Sequence, residues 1–200
     1  MRSPLVYCGP MWGGKTESLV SRLNRARIQG VRVRAFTPAA NERDAPGGYI
    51  RTHSGALFPA QVVERGEELL EKAGDAQVVG LDEFFMLPGA LAAVRELNDR
   101  GVKVVVATLD LDSEGRVWEE VGELLAMAEE VVKCPAVCQV CKKDAYYTFR
   151  KATAPKTRVL AGSREYYEPR CRKCWVEGQE AKRAVEGKGS LFGGILGEGR

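Results

Sequence analysis

At 200 residues, 44% of them apolar, the chain has room for one medium domain with a sizeable core and a small satellite. Its 30 basic and 27 acidic residues are mixed along the chain, and the net charge of +3 is too slight to indicate a nucleic-acid partner. No apolar run approaches the roughly 20 residues of a membrane span, and Met1-Arg2-Ser3 leads into a short strand instead of a signal's apolar region, so a cytoplasmic chain with no membrane partner is expected.

The apolar, β-prone Pro4-Leu5-Val6-Tyr7-Cys8 runs straight into Gly9-Pro10-Met11-Trp12-Gly13-Gly14-Lys15-Thr16, which fits G-x-x-x-x-G-K-[ST]. In such a loop backbone N–H groups converge on phosphates, Lys15 reaches the terminal phosphates and the Thr16 hydroxyl holds Mg²⁺. Leu19, Val20, Leu23 and Ile28 predict a helix from Lys15 to Gln29, stopped by Gly30, whose N-terminal dipole adds to the anion site. The chain therefore reads as a nucleoside-triphosphate binder from its first thirty residues.

Val31 to Phe36 alternates as a half-buried strand, and Thr37 to Gly48 reads as loop. A short strand at Ala60 to Val63 and a helix from Glu64 to Ala73 follow. A buried strand at Gln77 to Leu81 ends in Asp82-Glu83. Pro88 opens a helix to about Arg100, Val102 to Ala107 is the next buried strand, and Glu119 to Ala128 another helix. This alternation predicts an α/β fold of the P-loop NTPase type, a mostly parallel sheet with helices on both faces and ligands beyond the strands' C-terminal ends. In that place Asp82 can take a Mg²⁺-bound water, and Glu83, pointing the other way, can accept the proton of an attacking hydroxyl.

From about Lys133 the composition turns to short, aromatic, cysteine-punctuated segments. Cys138-Gln139-Val140-Cys141 and Cys171-Arg172-Lys173-Cys174 are two C-x-x-C pairs suited to one tetrahedral structural Zn²⁺, with no open coordination position for chemistry. Disulfides and an Fe–S cluster are the other uses of four cysteines. A reducing cytoplasm disfavours the first, and nothing else points to redox work. Cys8 and Cys134 are unmatched. The expected organisation is a P-loop core at 1–133, a zinc-ribbon-like lobe at 134–186, and a disordered glycine-rich tail at 187–200.

Together, Gly9 to Thr16, Thr52-His53, Asp82-Glu83, Thr108-Leu109-Asp110, the cysteine pairs and Tyr167-Glu168-Pro169-Arg170-Cys171-Arg172 resemble the cytosolic, zinc-containing (type II) thymidine kinases from roughly Leu5 to Trp175. The resemblance implies donor ATP in the P-loop and Glu83 as the base that takes the 5′-hydroxyl proton of thymidine. It places thymine under a lasso loop from about Arg150 to Arg170, beside Met11, Leu109, Trp118 and Tyr167, with Arg43 near the phosphates. It also implies a homotetramer and feedback inhibition by thymidine triphosphate. The chain departs from the family where Phe85 replaces a glutamine, Asn41 an aspartate and Ser113 an aromatic residue, which puts metal geometry and base preference in question. Two alternatives follow from the residues: a zinc-ribbon ATPase acting on nucleic acid, and a degenerate member that binds nucleotide without turnover. The single histidine, His53, reads as structural, because Glu83 already supplies a base.

Overall fold

The computed structural model describes residues 2–41, 47–151 and 164–192, with side chains as far as Val185. Six parallel strands form one sheet in the order β5-β2-β6-β7-β1-β8. These are β1 (Leu5–Cys8), β2 (Val33–Pro38), β5 (Gln61–Val63), β6 (Val78–Leu81), β7 (Lys103–Thr108) and β8 (Glu130–Lys133). Every pairing within the sheet is parallel, with Val6 opposite Val106 and Val131, and Gly80 opposite Ala35 and Val105. The central strands are buried on both faces, which is why Val78–Leu81 and Lys103–Thr108 read as near-continuous apolar runs.

Helix α1 (Lys15–Ile28) covers one face with Leu19, Val20 and Leu23, joined by Ile50 and Phe58 of a hairpin made by β3 (Tyr49–Arg51) and β4 (Leu57–Pro59). On the other face lie α2 (Glu67–Ala73), α3 (Ala90–Asp99) and α4 (Glu119–Met127). Their Leu69, Leu91, Val94, Leu97, Val121 and Leu124 pack on Val79, Leu81, Val104 and Val106.

The C-terminal lobe contains β9 (Ala136–Val137) paired with β10 (Asp144–Ala145), then β11 (Tyr147–Arg150) paired with β12 (Tyr167–Arg170). Helix α5 (Arg172–Phe192) closes the chain. The hairpin β3–β4 occupies a stretch for which the sequence offers no expectation, because three-residue strands are too short to show a period. Helix α5 runs to Phe192, into the 187–200 stretch expected to be a disordered tail, and residues 193–200 lie outside the described residues.

Candidate active site

Sheet order brings the ends of β1, β7 and β6 side by side, so the P-loop, the Thr108-Leu109-Asp110 turn and Asp82-Glu83 share one edge. The loop is held from behind by a carbonyl. A Cβ on Gly9 would collide with the Cys134 oxygen, and one on Gly13 would approach it to 2.7 Å. Cys134 N–H donates in turn to the Cys8 carbonyl at 2.7 Å. Cys8 and Cys134, unassigned in the sequence, are thus the floor of the phosphate loop, and burial pushes the Cys8 thiol up to about 11.

Lys15 is buried, and its Nζ donates to the Pro10 carbonyl at 2.6 Å. That carbonyl accepts a hydrogen bond without neutralising the ammonium, which leaves the loop poised for an anion. Met11 N–H donates to Thr148 Oγ1 of β11 at 3.1 Å, a tie between the loop and the C-terminal lobe that no sequence pattern announced. Trp12 takes φ 62°, and its ring lies 6.5 Å from that of His53. The backbone N–H of His53 donates to Glu17 Oε1 at 2.9 Å.

Thr16 Oγ1 donates to Asp82 Oδ1 at 3.2 Å across the intervening strand. Asp82 is 4% exposed, and burial followed by the charge of Glu83 pushes its pKa up to about 8, against the opposing pull of Thr16 and Lys15. A hydroxyl beside a buried carboxylate is a hard-oxygen donor set that fits Mg²⁺, and a dication there would favour the ionised carboxylate. Glu83 is half-buried and sits in the left-handed region at φ 47° and ψ 46°. A non-glycine residue there stores strain of order 1–3 kcal/mol, held by the short 3-10 turn Phe84–Met86 that follows.

Phe85, standing where the resemblance implies a glutamine, packs against Trp118 with ring centres 5.0 Å apart. The departure at Phe85 thus meets Trp118, the aromatic position the resemblance places by the base, in one contact beside Glu83. Leu109 is half-buried at the end of β7, followed by buried Asp110, whose Oδ2 pairs with Lys133 Nζ at 3.0 Å. Asn41 is buried and donates from Nδ2 to Thr37 Oγ1 at 3.3 Å. Arg43 and most of the lasso, 152–163, lie outside the described residues.

Tyr167 is buried and faces Arg150 across β11–β12, and burial raises its pKa against the opposing charge of that arginine. A cavity of about 280 Å³ is lined by Trp12, Lys151, Arg164, Tyr167 and Glu168 among others. It brings Tyr167 to the P-loop's tryptophan, whereas Leu109 and Trp118 do not line it. A larger, basic hollow of about 750 Å³ opens at the opposite end of the sheet, among Arg22, Arg25, Arg32, Arg100 and Lys103, remote from every residue named for the chemistry.

The thiols of Cys138, Cys141, Cys171 and Cys174 all lie within 4.8 Å of one another, with Cys141 and Cys171 Sγ 3.6 Å apart. Burial raises Cys138, but N–H groups of Cys141, Cys171 and Val140 more than offset it and bring it to about 6. Cys174 is pushed up to about 12 by burial and the neighbouring thiols. Four sulfurs converging with N–H donors aimed at one of them can hold a tetrahedral metal ion.

The thymidine kinase family model matches residues 4–175. The chain belongs to the thymidine kinase family. It is 37% identical to the thymidine kinase of Rhodothermus sp. (strain ITI 518) over 171 residues, covering 85% of this chain and 79% of that one. It is 36% identical to that of Chloroflexus aurantiacus (strain ATCC 29366 / DSM 635 / J-10-fl) over 85% of this chain and 92% of the other. With the thymidine kinase of Bacteroides fragilis (strain ATCC 25285) the identity is 33%, over 89% of each. Among the described residues of this kinase-family chain, no helix is long and apolar enough to cross a membrane.

Proposed function

We propose that the chain transfers the γ-phosphoryl group of ATP to the 5′-hydroxyl of thymidine, giving thymidine monophosphate and ADP. The observation that carries this reading is the Thr16–Asp82 contact with Glu83 next in the chain. It sets a P-loop hydroxyl, a buried carboxylate and a second carboxylate at one sheet edge of a thymidine kinase family member.

The loop amides and Lys15 bind and orient the donor phosphates. Mg²⁺, when bound, spreads the charge of the phosphates, and Thr16 and Asp82 would hold it. Glu83 accepts the 5′-hydroxyl proton as the new oxygen–phosphorus bond forms and the bond from phosphorus to the departing ADP oxygen breaks. Met11, Leu109, Trp118 and Tyr167 would face the nucleoside, with the aromatic faces excluding water from the acceptor. Zn²⁺ is the metal we assign to Cys138, Cys141, Cys171 and Cys174, in a structural role. A homotetramer inhibited by thymidine triphosphate rests on the resemblance alone, as does Arg43 near the phosphates, and a cytoplasmic place rests on the sequence's lack of an apolar span or signal.

The test is ADP release with ATP, Mg²⁺ and each deoxynucleoside in turn, in the wild type and in Glu83→Gln. Thymidine-dependent release that collapses in the variant supports the reading. Release driven by a polynucleotide, or by no nucleoside at all, overturns it.

A further inference from the structure

Between β7 and α4 the chain makes a tight excursion from Asp110 to Trp118. Leu111 and Val117 bridge antiparallel, Asp112 N–H donates to the Arg116 carbonyl at 2.9 Å, and the buried Asp112 carboxylate accepts N–H groups of Glu114 and Arg116, each at 2.9 Å. The tip of this excursion is gripped from outside the core. Gln179 Nε2 donates to the Ser113 carbonyl at 2.8 Å, and Trp175 Nε1 donates to the same oxygen at 3.3 Å.

Four residues apart, Trp175 and Gln179 lie on one face of α5. Gln179 is only 6% exposed, an uncommon setting for a glutamine unless its donor is used. A Cβ on Gly115 would stand 3.0 Å from the Trp175 ring, so the excursion is also packed against the indole, whose ring centre lies 5.1 Å from that of Tyr147. Of the four cluster cysteines, Cys171 directly precedes α5 and Cys174 lies in its first turn, and Trp175 backbone N–H donates to the Cys171 carbonyl at 2.9 Å.

We propose that Gln179 and Trp175 are positioning residues that clamp the 110–118 excursion through the Ser113 carbonyl and thereby set affinity for the acceptor nucleoside. The inference rests on the reading above that Leu109, just before this excursion, and Trp118, at its end, face that nucleoside. Trp118 packs on Phe85, two residues beyond Glu83, so a displaced excursion moves the aromatic wall beside the base without touching the P-loop or Asp82. The thiol cluster then acts on the acceptor side of the reaction through the helix it anchors.

Gln179→Met keeps the length of the side chain and removes the donor, while Trp175→Phe keeps an aromatic ring against Tyr147 and removes Nε1–H. Losing one such hydrogen bond is expected to raise the thymidine KM about three- to tenfold in either variant, with kcat within about twofold and the KM for ATP unchanged. Metal content and melting temperature report that each variant is folded. Amide exchange at 111–117 is expected to quicken in both. An unchanged thymidine KM, or kcat falling in step with both KM values, overturns the clamp as a determinant of acceptor affinity. If the wild type phosphorylates no nucleoside, it is the functional reading that fails. Exchange at 111–117 still decides the clamp, because unchanged protection in both variants would show that α5 does not hold the excursion.

Discussion

In the core, Val79, Leu81, Val104 and Val106 face helices α2, α3 and α4, and each is fully buried. In the C-terminal lobe the buried cluster consists of Ala136, Cys138, Ala145 and Cys174, half of it thiols. The core holds its strand ends by apolar packing, and the chemistry is mounted on those ends. Among its described residues the lobe has the smaller apolar cluster, and the metal proposed for its cysteines would staple it. Yet the lobe reaches the phosphate loop through Thr148 to the Met11 amide, and it reaches Ser113 through α5. Packing places Asp82 and Glu83, while the lobe contacts what surrounds them.

Stripping the metal separates the two regions most sharply. Structural zinc in small peptides has an apparent binding energy of about 10–16 kcal/mol, so chelation is expected to abolish amide protection across 134–151 and 164–185 while β6 and β7 stay protected. Loss of protection in β6 as well would show that the core does not stand apart. Next in size, Glu83→Gln should lower kcat by about 10²–10⁴-fold with metal content unchanged, placing the chemistry in the core alone. A variant retaining wild-type kcat would move the base elsewhere.

Thr148→Val sharpens the comparison at the tie between the regions. It leaves the Met11 N–H without its acceptor and is expected to cost about 1–3 kcal/mol in nucleotide affinity, measured by calorimetric titration, with the fold intact. The smallest effect per step is the pH dependence of the metal-free protein. Asp82 has its folded pKa raised from 3.8 to about 8, so between those values the folded state holds a proton that the unfolded state has released. Stability therefore falls as pH rises through that window, by at most about 1.4 kcal/mol per pH unit, and Asp82→Asn should flatten the slope in urea melts.

Much of the core was legible because its elements have long or unmixed patterns. The strands at Val78–Leu81 and Lys103–Thr108 and the helix from Lys15 fall within a residue or two of the expected bounds. Boundaries slipped where side chains and turns compete with the period. The second helix begins at Glu67 instead of Glu64, because Glu68 Oε1 accepts the N–H groups of Glu64 and Arg65. The third begins at Ala90, after Gly89 turns left-handed at φ 74°. Strand β8 lies in a stretch where the sequence shows no alternation, with Val131 and Val132 both partly exposed on the sheet's outer edge.

At the site, the P-loop, Asp82, Glu83 and the four cysteines were readable from spacing, because phosphate and metal chemistry demand those residue types at fixed intervals. Thr148, Gln179 and the Cys134 carbonyl were not. Each acts through a single atom brought in by tertiary folding, and neither a lone threonine nor a backbone oxygen carries a local signature. The meeting of Phe85 with Trp118 was equally hidden, since two residues 33 positions apart are related only in space.

The carbonyl behind Gly9 and Gly13 belongs to Cys134, the residue at which strand β8 hands over to the lobe. The seam between the two regions is therefore a working part and cannot be treated as a hinge or a cutting point. A fragment ending at residue 133 would keep every residue of the phosphate motif and lose the surface on which that motif is moulded. Grafting a foreign lobe onto the core would succeed only if its first residue placed a backbone oxygen at the same spot, so the boundary itself, more than either side of it, limits how these pieces can be exchanged.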